Sequence, residues 1–426
     1  MPPQTNRNGA VSRGREEWLV LVPGFLALAP YVLYHGMFGR LFWFGDEFDL
    51  IDQFDRMGFG PWIWTAFSEN FVPLFKVLWG GSVLAFGGSY VAMMAIVWVT
   101  HALNVALLGR LLRVCGFSWA AVVTAQVVFG LSPSNLETLA WSVQWSAMLS
   151  VTFMLLALAS FFERPSGRAP IAWAAASALS FSRGVLTGLL VGAVSLWPWS
   201  GSLPRRIGRA LAFALPSIAV ALVIAVMVPT GNQRHMQGHW EAALVYGAWY
   251  YLLNPAHYLF GIESAGTWTL ALTGFLKVWL MGWCLARSRG DMRLLFAVLV
   301  AFDIGNAVLL GIGRYQMGLL TAMSSRYQYA SLIACVPAAG FWVSRQWERL
   351  PVPARPRSAA FWGLLAAAAV VLSAGWPNEL DPFTVWRGTD SRRILDPSGP
   401  ASAAVPGYPG FPIERARELI AKYDLH

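Results

Sequence analysis

Acidic residues are scarce in this chain, which has 22 Asp and Glu against 31 Lys and Arg in 426 residues. Only 12% of the residues are charged, 56% are hydrophobic, and the mean hydropathy is +0.51. This composition excludes an ordinary soluble domain and is typical of a polytopic membrane protein. The apolar runs are long enough to cross a bilayer as helices, and they lack the period-two alternation of a barrel. The sequence therefore predicts an all-α polytopic membrane protein.

Further absences exclude other classes of protein. The three cysteines, Cys115, Cys284 and Cys335, form no C-x-x-C pair and no metal-binding spacing, so we expect them to be unpaired. No internal repeat is visible, although many transporters have one. The basic residues are dispersed between apolar spans, which argues against nucleic-acid binding. No small-residue cleavage site follows the first span, so we expect that span to be retained.

The hydropathy pattern predicts about eleven transmembrane helices. They are expected at 18–37, 89–109, 119–131, 142–162, 171–181, 184–199, 210–228, 268–286, 292–312, 328–344 and 359–376. These spans form one transmembrane domain over residues 1–376, with long loops at 38–88 and 229–267 and a polar tail at 377–426. The aromatic segment 240–260 in the second loop is predicted to be an interfacial helix lying on the membrane. Residues 413–423 of the tail are predicted to form a short helix.

Basic residues in the loops predict the orientation. With the N-terminus in the cytoplasm, the inside segments contain 17 arginines and the outside loops contain 7 Lys and Arg residues. Because cytoplasmic loops are enriched in Lys and Arg, this bias predicts a cytoplasmic N-terminus. Both long loops and the C-terminal tail are then expected on the outer face.

Carboxylates are concentrated in the first outer loop. Six of the 22 acids lie between positions 46 and 69: Asp46, Glu47, Asp49, Asp52, Asp55 and Glu69. Their spacing predicts a helix, and we expect Asp52 and Asp55 to face water. Asp46 and Glu47 instead adjoin the end of the first span, where a carboxylate can have a raised pKa and act as a general base.

The arrangement resembles the GT-C superfamily of membrane glycosyltransferases, which includes protein O-mannosyltransferases and aminoarabinose transferases. The resemblance depends on the acidic pair Asp46-Glu47, on the segment Asn70-Phe-Val-Pro73 before the second span, and on His101 and Asn104 within that span. It covers the layout of about residues 18–200 and, more loosely, the rest. Many relatives have a histidine in place of Asn70.

The resemblance implies a GT-C-like fold and transfer of a sugar from a polyprenyl-phosphate carrier to an outer-face acceptor. Asp46 would be the catalytic carboxylate, and Glu47 a second acid or a ligand of a metal or acceptor. Asp49, Asn70, His101 and Asn104 would bind or support the acceptor. The implied partners are the lipid-linked sugar and membrane lipids, in the inner (plasma) membrane of the cell envelope. No cofactor is assigned, and a divalent cation is left open.

Arginines in the outer loops are candidates for binding the donor phosphate. Arg314 lies in Gly-Arg-Tyr-Gln, and Arg326 precedes Tyr327 in a loop before the tenth span, as in several GT-C relatives. Arg183 is the only charge in the hairpin between the fifth and sixth spans. Arginine can bind two phosphate oxygens in a fork. The alternative is that these residues are ordinary interfacial anchors.

Two other hypotheses for the function remain open. Lys277 and Asp303 lie within adjacent spans and are predicted to form a structural pair, although a proton or ion relay would favour a transporter or flippase. A polysaccharide polymerase or ligase would also use outer arginines, but its catalytic loop is expected late in the chain.

His235 and His239 have a spacing that metal sites use on helices, although their segment favours a loop. No nucleotide-binding glycine loop is present, which argues against a nucleotide-sugar donor.

Overall fold

A computed structural model describes residues 20–197, 202–227, 238–254, 267–351, 354–396, 405, 407–408 and 410–426. Within these ranges the regular structure is helical, and the only strand-like pairings are the isolated bridges Phe67–Asn70 and Val405–Tyr408. The prediction of an all-α membrane protein is confirmed at this level.

Seventeen helices are labelled here in chain order. They are α1 (Val20–Leu33, with a turn at 27–28), α2 (Asp46–Met57), α3 (Pro73–Ala85), α4 (Tyr90–Val114), α5 (Trp119–Leu131), α6 (Leu136–Leu139), α7 (Trp145–Glu163), α8 (Ala169–Ser180), α9 (Val185–Ser195), α10 (Leu203–Met227), α11 (Trp240–Leu253), α12 (Thr267–Arg287), α13 (Gly290–Arg314), α14 (Gln328–Glu348), α15 (Ala354–Ala374), α16 (Trp376–Thr384) and α17 (Ile413–Tyr423). Short helices also occur at His35–Phe38, Phe59–Ile63 and Ser391–Leu395.

Six helical segments within the described residues are long and apolar enough to cross a membrane. They are Tyr90–Val114, Ser142–Glu163, Leu203–Met227, Trp268–Arg287, Gly290–Met317 and Ser358–Thr389. Each of the eleven predicted spans falls on a helix, but α1, α5, α8 and α9 are shorter than a full crossing requires. The count of eleven transmembrane helices therefore stays a prediction.

The two ends of the helix bundle differ in charge. Helix α4 starts at Tyr90, beside Glu47, and near its other end Arg110 pairs with Glu163 of α7 at 2.9 Å. We call the Glu47 side the acidic end. The other side, which we call the cationic end, contains the arginines at the end of α4 and those in or beside the turns that follow α7, α12 and α14. This separation of charge matches the excess of Lys and Arg in the loops that the sequence predicts to be cytoplasmic.

Helix α11 packs into the bundle rather than over it. Small residues at Ala243 and Gly247 face Ala307 and Gly311 of α13, so closely that an added Cβ on Gly311 would lie 2.3 Å from the Ala243 carbonyl oxygen. Small residues four apart allow this backbone approach in membrane helices. Asn254, at the end of α11, is fully buried, so this end enters the bundle and does not lie on a membrane surface as predicted. The remainder of the predicted interfacial segment, 255–260, lies outside the described residues.

The C-terminal helix α17 packs on α2. Arg415 donates to Asp52 Oδ1 and to Asp55 Oδ2, each at 2.6 Å, and Tyr423 donates its hydroxyl to Asp55 Oδ1 at 2.6 Å. The predicted helix over 413–423 is confirmed. The expectation that Asp52 and Asp55 face water is wrong, because the tail supplies cationic partners that cover them.

Candidate functional site

The start of α2 places three carboxylates at the acidic end. Gly45, which precedes the helix, has a φ of 58°, a conformation that side chains rarely adopt. This turn starts the helix directly at Asp46, so Asp46, Glu47 and Asp49 all lie in its first turn. Negative charge is favoured there by the helix dipole. The local sequence thus explains why several carboxylates tolerate one another in a partly buried place.

Glu47 is fully buried and is held by four hydrogen bonds. Its Oε2 accepts from the Phe44 amide at 2.7 Å. Its Oε1 accepts from the Tyr90 hydroxyl at 3.3 Å, from the Ser142 amide at 3.1 Å and from the Ser142 hydroxyl. Burial raises the pKa of Glu47 to about 7, against the lowering effect of these donors. With both oxygens occupied, Glu47 joins α2, α4 and the turn before α7, and its contacts favour a positioning role over that of a ligand.

Asp46 differs from Glu47 because its carboxylate is half-buried and accepts no hydrogen bond from any described residue. Burial raises its pKa above the ordinary value, and the positive charges of Arg314, Arg326 and Arg387 act in the opposite direction. A carboxylate that is poorly solvated, lacks a fixed partner and lies near three guanidinium groups is available to a proton donor from outside the protein.

Glu137, at the start of α6, positions the loop that contains Arg326. Its Oε2 accepts from the hydroxyls of Ser324 and Ser325, at 3.2 and 2.9 Å, and from the Arg326 amide at 3.0 Å. Its Oε1 lies 3.7 Å from Nη1 of Arg326 and 3.7 Å from Nη2 of Arg387. One carboxylate therefore holds two guanidinium groups near Asp46 without fully pairing either.

Arg387 comes from the C-terminal tail and is 1% exposed. Its guanidinium lies within about 5 Å of four aromatic rings, those of Phe44, Trp141, Phe383 and Trp386. Its Nε and Nη1 have no hydrogen-bond partner among the described residues. Unpaired buried guanidinium groups are costly, and an anion that accepts from them would offset that cost.

Two other predicted arginines lie in different surroundings. Arg314, at the end of α13, pairs with Glu69 at 3.3 Å. Arg183, in the turn between α8 and α9, is only 4% exposed, and its Nε and Nη1 lack partners within the described part of the chain. Because α8 and α9 are short, their connecting turn lies inside the protein rather than at an exposed tip.

Tyr327 and Asn70 connect the loops of this region. The Tyr327 carbonyl accepts from the Tyr250 hydroxyl at 3.4 Å, and the Tyr327 ring lies 5.2 Å from the Arg326 guanidinium. The Asn70 side-chain oxygen accepts from the Ser182 amide at 3.3 Å, next to Arg183. Asn70 therefore fixes the first loop to the α8–α9 turn.

Asp49 lies one helical turn after Asp46 and accepts from Gln53 at 2.8 Å. Burial raises its pKa, and the neighbouring charges of Asp46 and Asp52 add to this effect. Burial, together with the charges of Asp49 and Asp46, also raises the pKa of Tyr408 in the tail. The tail residue Gly407 packs on the Phe44 ring. The C-terminal tail thus covers the start of α2.

His101 and Asn104 are fully buried within α4 and bond to the bundle rather than to the carboxylates. The two ring nitrogens of His101 contact the Tyr329 hydroxyl at 3.0 Å and the Gly130 carbonyl at 3.1 Å. Asn104 donates to the same hydroxyl at 2.9 Å. This arrangement packs α4 against α5 and α14, and its contacts favour a structural role.

The structure also bears on a metal site and on the predicted pair of Lys277 and Asp303. No group of three or more His, Cys, Asp or Glu side chains suited to a metal occurs in the part of the chain that the structure describes. His235 lies outside the described residues.

The predicted pairing of Lys277 with Asp303 is confirmed at 2.7 Å, and Lys277 also donates to the carbonyls of Tyr251 and Asn254.

Sequence reasoning missed Glu137 and Arg387. Glu137 is the only acid between positions 119 and 162, and the scarcity of acids was a signal that could have singled it out. Arg387 lies in the aromatic segment Phe383-Thr-Val-Trp-Arg387, which resembles an interfacial anchor when read alone. Only the fold brings these two residues to Arg326.

The chain matches no protein-family model, no curated protein and no solved structure.

Proposed function

We propose that this chain is an integral-membrane glycosyltransferase of GT-C type. It would move a sugar from a polyprenyl-phosphate carrier to a lipid, glycan or protein acceptor at the acidic end. That end would face the outside of the inner membrane, with the cationic end in the cytoplasm. The observation that carries the proposal is Asp46, a carboxylate without a hydrogen-bond partner among the described residues. It lies near the buried Arg387 and the partly exposed Arg326, both of which are incompletely paired.

Asp46 and the nearby arginines suit the two parts of a glycosyl transfer, which are deprotonation of the acceptor and departure of the lipid phosphate. Asp46 would take the proton from an acceptor hydroxyl as that oxygen forms a bond to the anomeric carbon. The bond from that carbon to the phosphate oxygen would break, and its electron pair would leave with the lipid phosphate. Arg326, Arg387, Arg314 and Arg183 would stabilise the charge on that phosphate. A single displacement of this kind inverts the anomeric centre.

Glu47 and Glu137 would act through other residues. Glu47 fixes the start of α2 against α4 and Ser142, which positions Asp46. Glu137 fixes the loop that contains Arg326 and limits the separation of Arg326 from Arg387. A rigid arrangement of this kind lowers the cost of ordering the site for each reaction.

A lipid analysis tests the proposed donor. A strain that lacks the protein should accumulate a polyprenyl-phosphate-linked sugar in its lipid extract, because the carrier can no longer be unloaded. Wild-type protein should remove the accumulation, and Asp46→Asn, at matched membrane levels, should not. If the lipid extracts of the deletion strain and the wild type are the same, the donor assignment is wrong.

A transporter or flippase of lipid-linked or small polar substrates is the second candidate, because Lys277 and Asp303 form a charged pair inside the bundle. The pair has several fixed partners, including Ser331, whose hydroxyl lies 3.4 Å from Lys277 Nζ. A relay needs groups that exchange partners, so the fixed contacts favour a structural pair.

A further inference from the structure

A cavity of about 710 Å³ opens at the cationic end of the bundle, far along α12 and α13 from the carboxylates. It lies where the end of α12, the turn into α13 and the end of α14 meet. Its volume is within the range of sites that accept small organic molecules. The proposed glycosyl transfer makes no use of this cavity.

The cavity wall has an excess of positive charge. Arg287, Arg289, Arg345 and Arg349 line it, together with one acid, Glu348. Glu348 lies 3.7 Å from Nη1 of Arg345, at an exposed position. Exposed pairs of this kind contribute little, so the Arg345 guanidinium can exchange that partner for another anion. Several arginines around one cavity suit a phosphate group, which can accept from more than one of them.

Two polar features of the turn between α12 and α13, at the cavity, also suit an anion. Ser288 is 2% exposed, and its hydroxyl has no partner among the described residues. The same turn leads into α13, a helix of 25 residues whose first turn has no side-chain cap and contains one acid, Asp291, which does not line the cavity. Free backbone amides and the dipole at a helix N-terminus favour a phosphate. The hydroxyl and the helix start lie on the same turn between α12 and α13.

An apolar stripe on α12 leads to the cavity. Leu272, Leu276 and Trp279 are exposed in the structure and are followed at helical spacing by Trp283, which lines the cavity. Residues three or four apart lie on one face of a helix. A ligand with both a phosphate and long apolar chains would contact the arginines and the stripe together. A free phosphate or a soluble nucleotide would leave the stripe unused.

We propose that this cavity binds the phosphate headgroup of an anionic phospholipid, whose acyl chains lie along the exposed face of α12. The arginines and Ser288 bind the headgroup, and Leu272, Leu276 and Trp279 contact the chains. The inference is independent of the proposed glycosyl transfer. The site would connect α12, α13 and α14 at the membrane surface.

Thermal unfolding in nanodiscs tests the proposal. Wild-type protein should unfold at a higher temperature in nanodiscs that contain phosphatidylglycerol than in nanodiscs of phosphatidylcholine alone. The variant Arg287→Gln/Arg345→Gln should lose most of that shift. The variant Arg164→Gln/Arg168→Gln is the matched control, because it removes two charges from the same end without changing the cavity, and it should keep the shift.

Two further measurements distinguish lipid binding from binding of soluble phosphate. Native mass spectrometry of the wild-type protein should detect retained phosphatidylglycerol, and Ser288→Ala, a small change that should fold normally, should retain less. An equal lipid shift in the cavity variant and in the control would overturn the proposal. If inorganic phosphate in detergent gave the same shift as the lipid, the cavity would be a site for soluble phosphate and the lipid assignment would be wrong.

Discussion

Oε1 of Glu137 lies 3.7 Å from Nη2 of Arg387, which connects the short helix α6 to the C-terminal tail. The same oxygen lies 3.7 Å from Nη1 of Arg326. Both distances are longer than a hydrogen bond, so neither guanidinium is fully paired. The tail therefore contributes a binding group to the candidate site as well as covering it.

Arg387→Lys should reduce transfer activity by about 100-fold, a typical effect of removing one group that stabilises developing charge. Lysine has no guanidinium fork and cannot keep both the Glu137 contact and a bond to phosphate. Sugar transfer in isolated membranes, at matched protein levels, measures the effect.

Arg392→Lys is the control for this prediction. Arg392 lies on the same tail segment and is exposed, with its guanidinium 5.2 Å from the Phe42 ring. It should retain most of the activity. Equal losses in the two variants would show that the tail contributes only general stability.

Glu47 should make stability depend on pH. Burial raises the pKa of Glu47 from its ordinary value of 4.5 to about 7, so the folded protein binds this proton more tightly than the unfolded chain. The stability from this proton is present below the ordinary pKa and is lost as the pH rises through about 7. Thermal unfolding of the detergent-solubilised protein across this range measures the slope.

Glu47→Gln should remove this slope and lower stability by about 1–3 kcal/mol, because the amide nitrogen cannot accept the hydrogen bonds that the carboxylate accepts. Glu418→Gln, at an exposed acid of the tail, should leave the slope unchanged. A slope that persists in Glu47→Gln would assign the titration to another group.

Asp55 should control docking of the tail. Arg415, Lys422 and Tyr423 all contact its carboxylate, and they hold its pKa well below the ordinary range. Docking should therefore be complete at neutral pH and weaken only as the pH falls below the ordinary carboxylate value. Asp55→Asn should expose the tail to limited proteolysis at neutral pH.

Glu418→Gln is a matched control for this experiment, because Glu418 contacts the same arginine at 2.9 Å from an exposed position. Exposed pairs contribute little, so its tail should stay protected. Protection of the tail in Asp55→Asn would mean that α17 docks through its apolar face alone.

The pair of Lys277 and Asp303 should be structural. Lys277→Met should lower stability by about 3–5 kcal/mol, because it leaves a buried carboxylate without its cation. Lys277→Met/Asp303→Leu should recover part of that loss, and a double-mutant cycle in thermal unfolding measures the coupling. A double variant that is stable but has lost all activity would favour the relay over the structural pair.

Local pattern was sufficient to predict the long apolar helices, but not α3, which lies in the predicted first loop, nor the short helices α6 and α16. Each predicted span falls on a helix, because continuous apolar runs allow few other structures in a membrane. The acid spacing also predicted the helix that forms α2, although not the residue at which it begins. By contrast, α11 was expected on the membrane surface, because its aromatic composition is typical of interfacial helices. The packing of α11 depends on small residues of α13, Ala307 and Gly311. Nothing in the sequence around α11 indicates that these residues are its neighbours.

The candidate site was only partly predictable, for the same reason. Asp46, Arg314 and Arg326 could be proposed from scarcity, position and resemblance. The roles of Asp52 and Asp55 were wrong because their partners lie in a tail more than 300 residues away. Glu137 was missed although its isolation among apolar residues was a signal, and Arg387 was missed because nothing local relates it to Glu137. Contacts between distant segments decide which charges are solvated, and periodicity does not predict such contacts.

Mass spectrometry of the cell-surface glycans and lipids tests the central claim most directly. A deletion strain would be complemented with wild type, Asp46→Asn or Asp49→Asn at matched membrane levels, with Asp49 as the neighbouring carboxylate of the same helix. A sugar-sized mass should vanish on deletion and return with wild type. It should stay absent with Asp46→Asn and return at least in part with Asp49→Asn. Full restoration by Asp46→Asn would show that Asp46 is not the general base and would contradict the proposed glycosyl transfer.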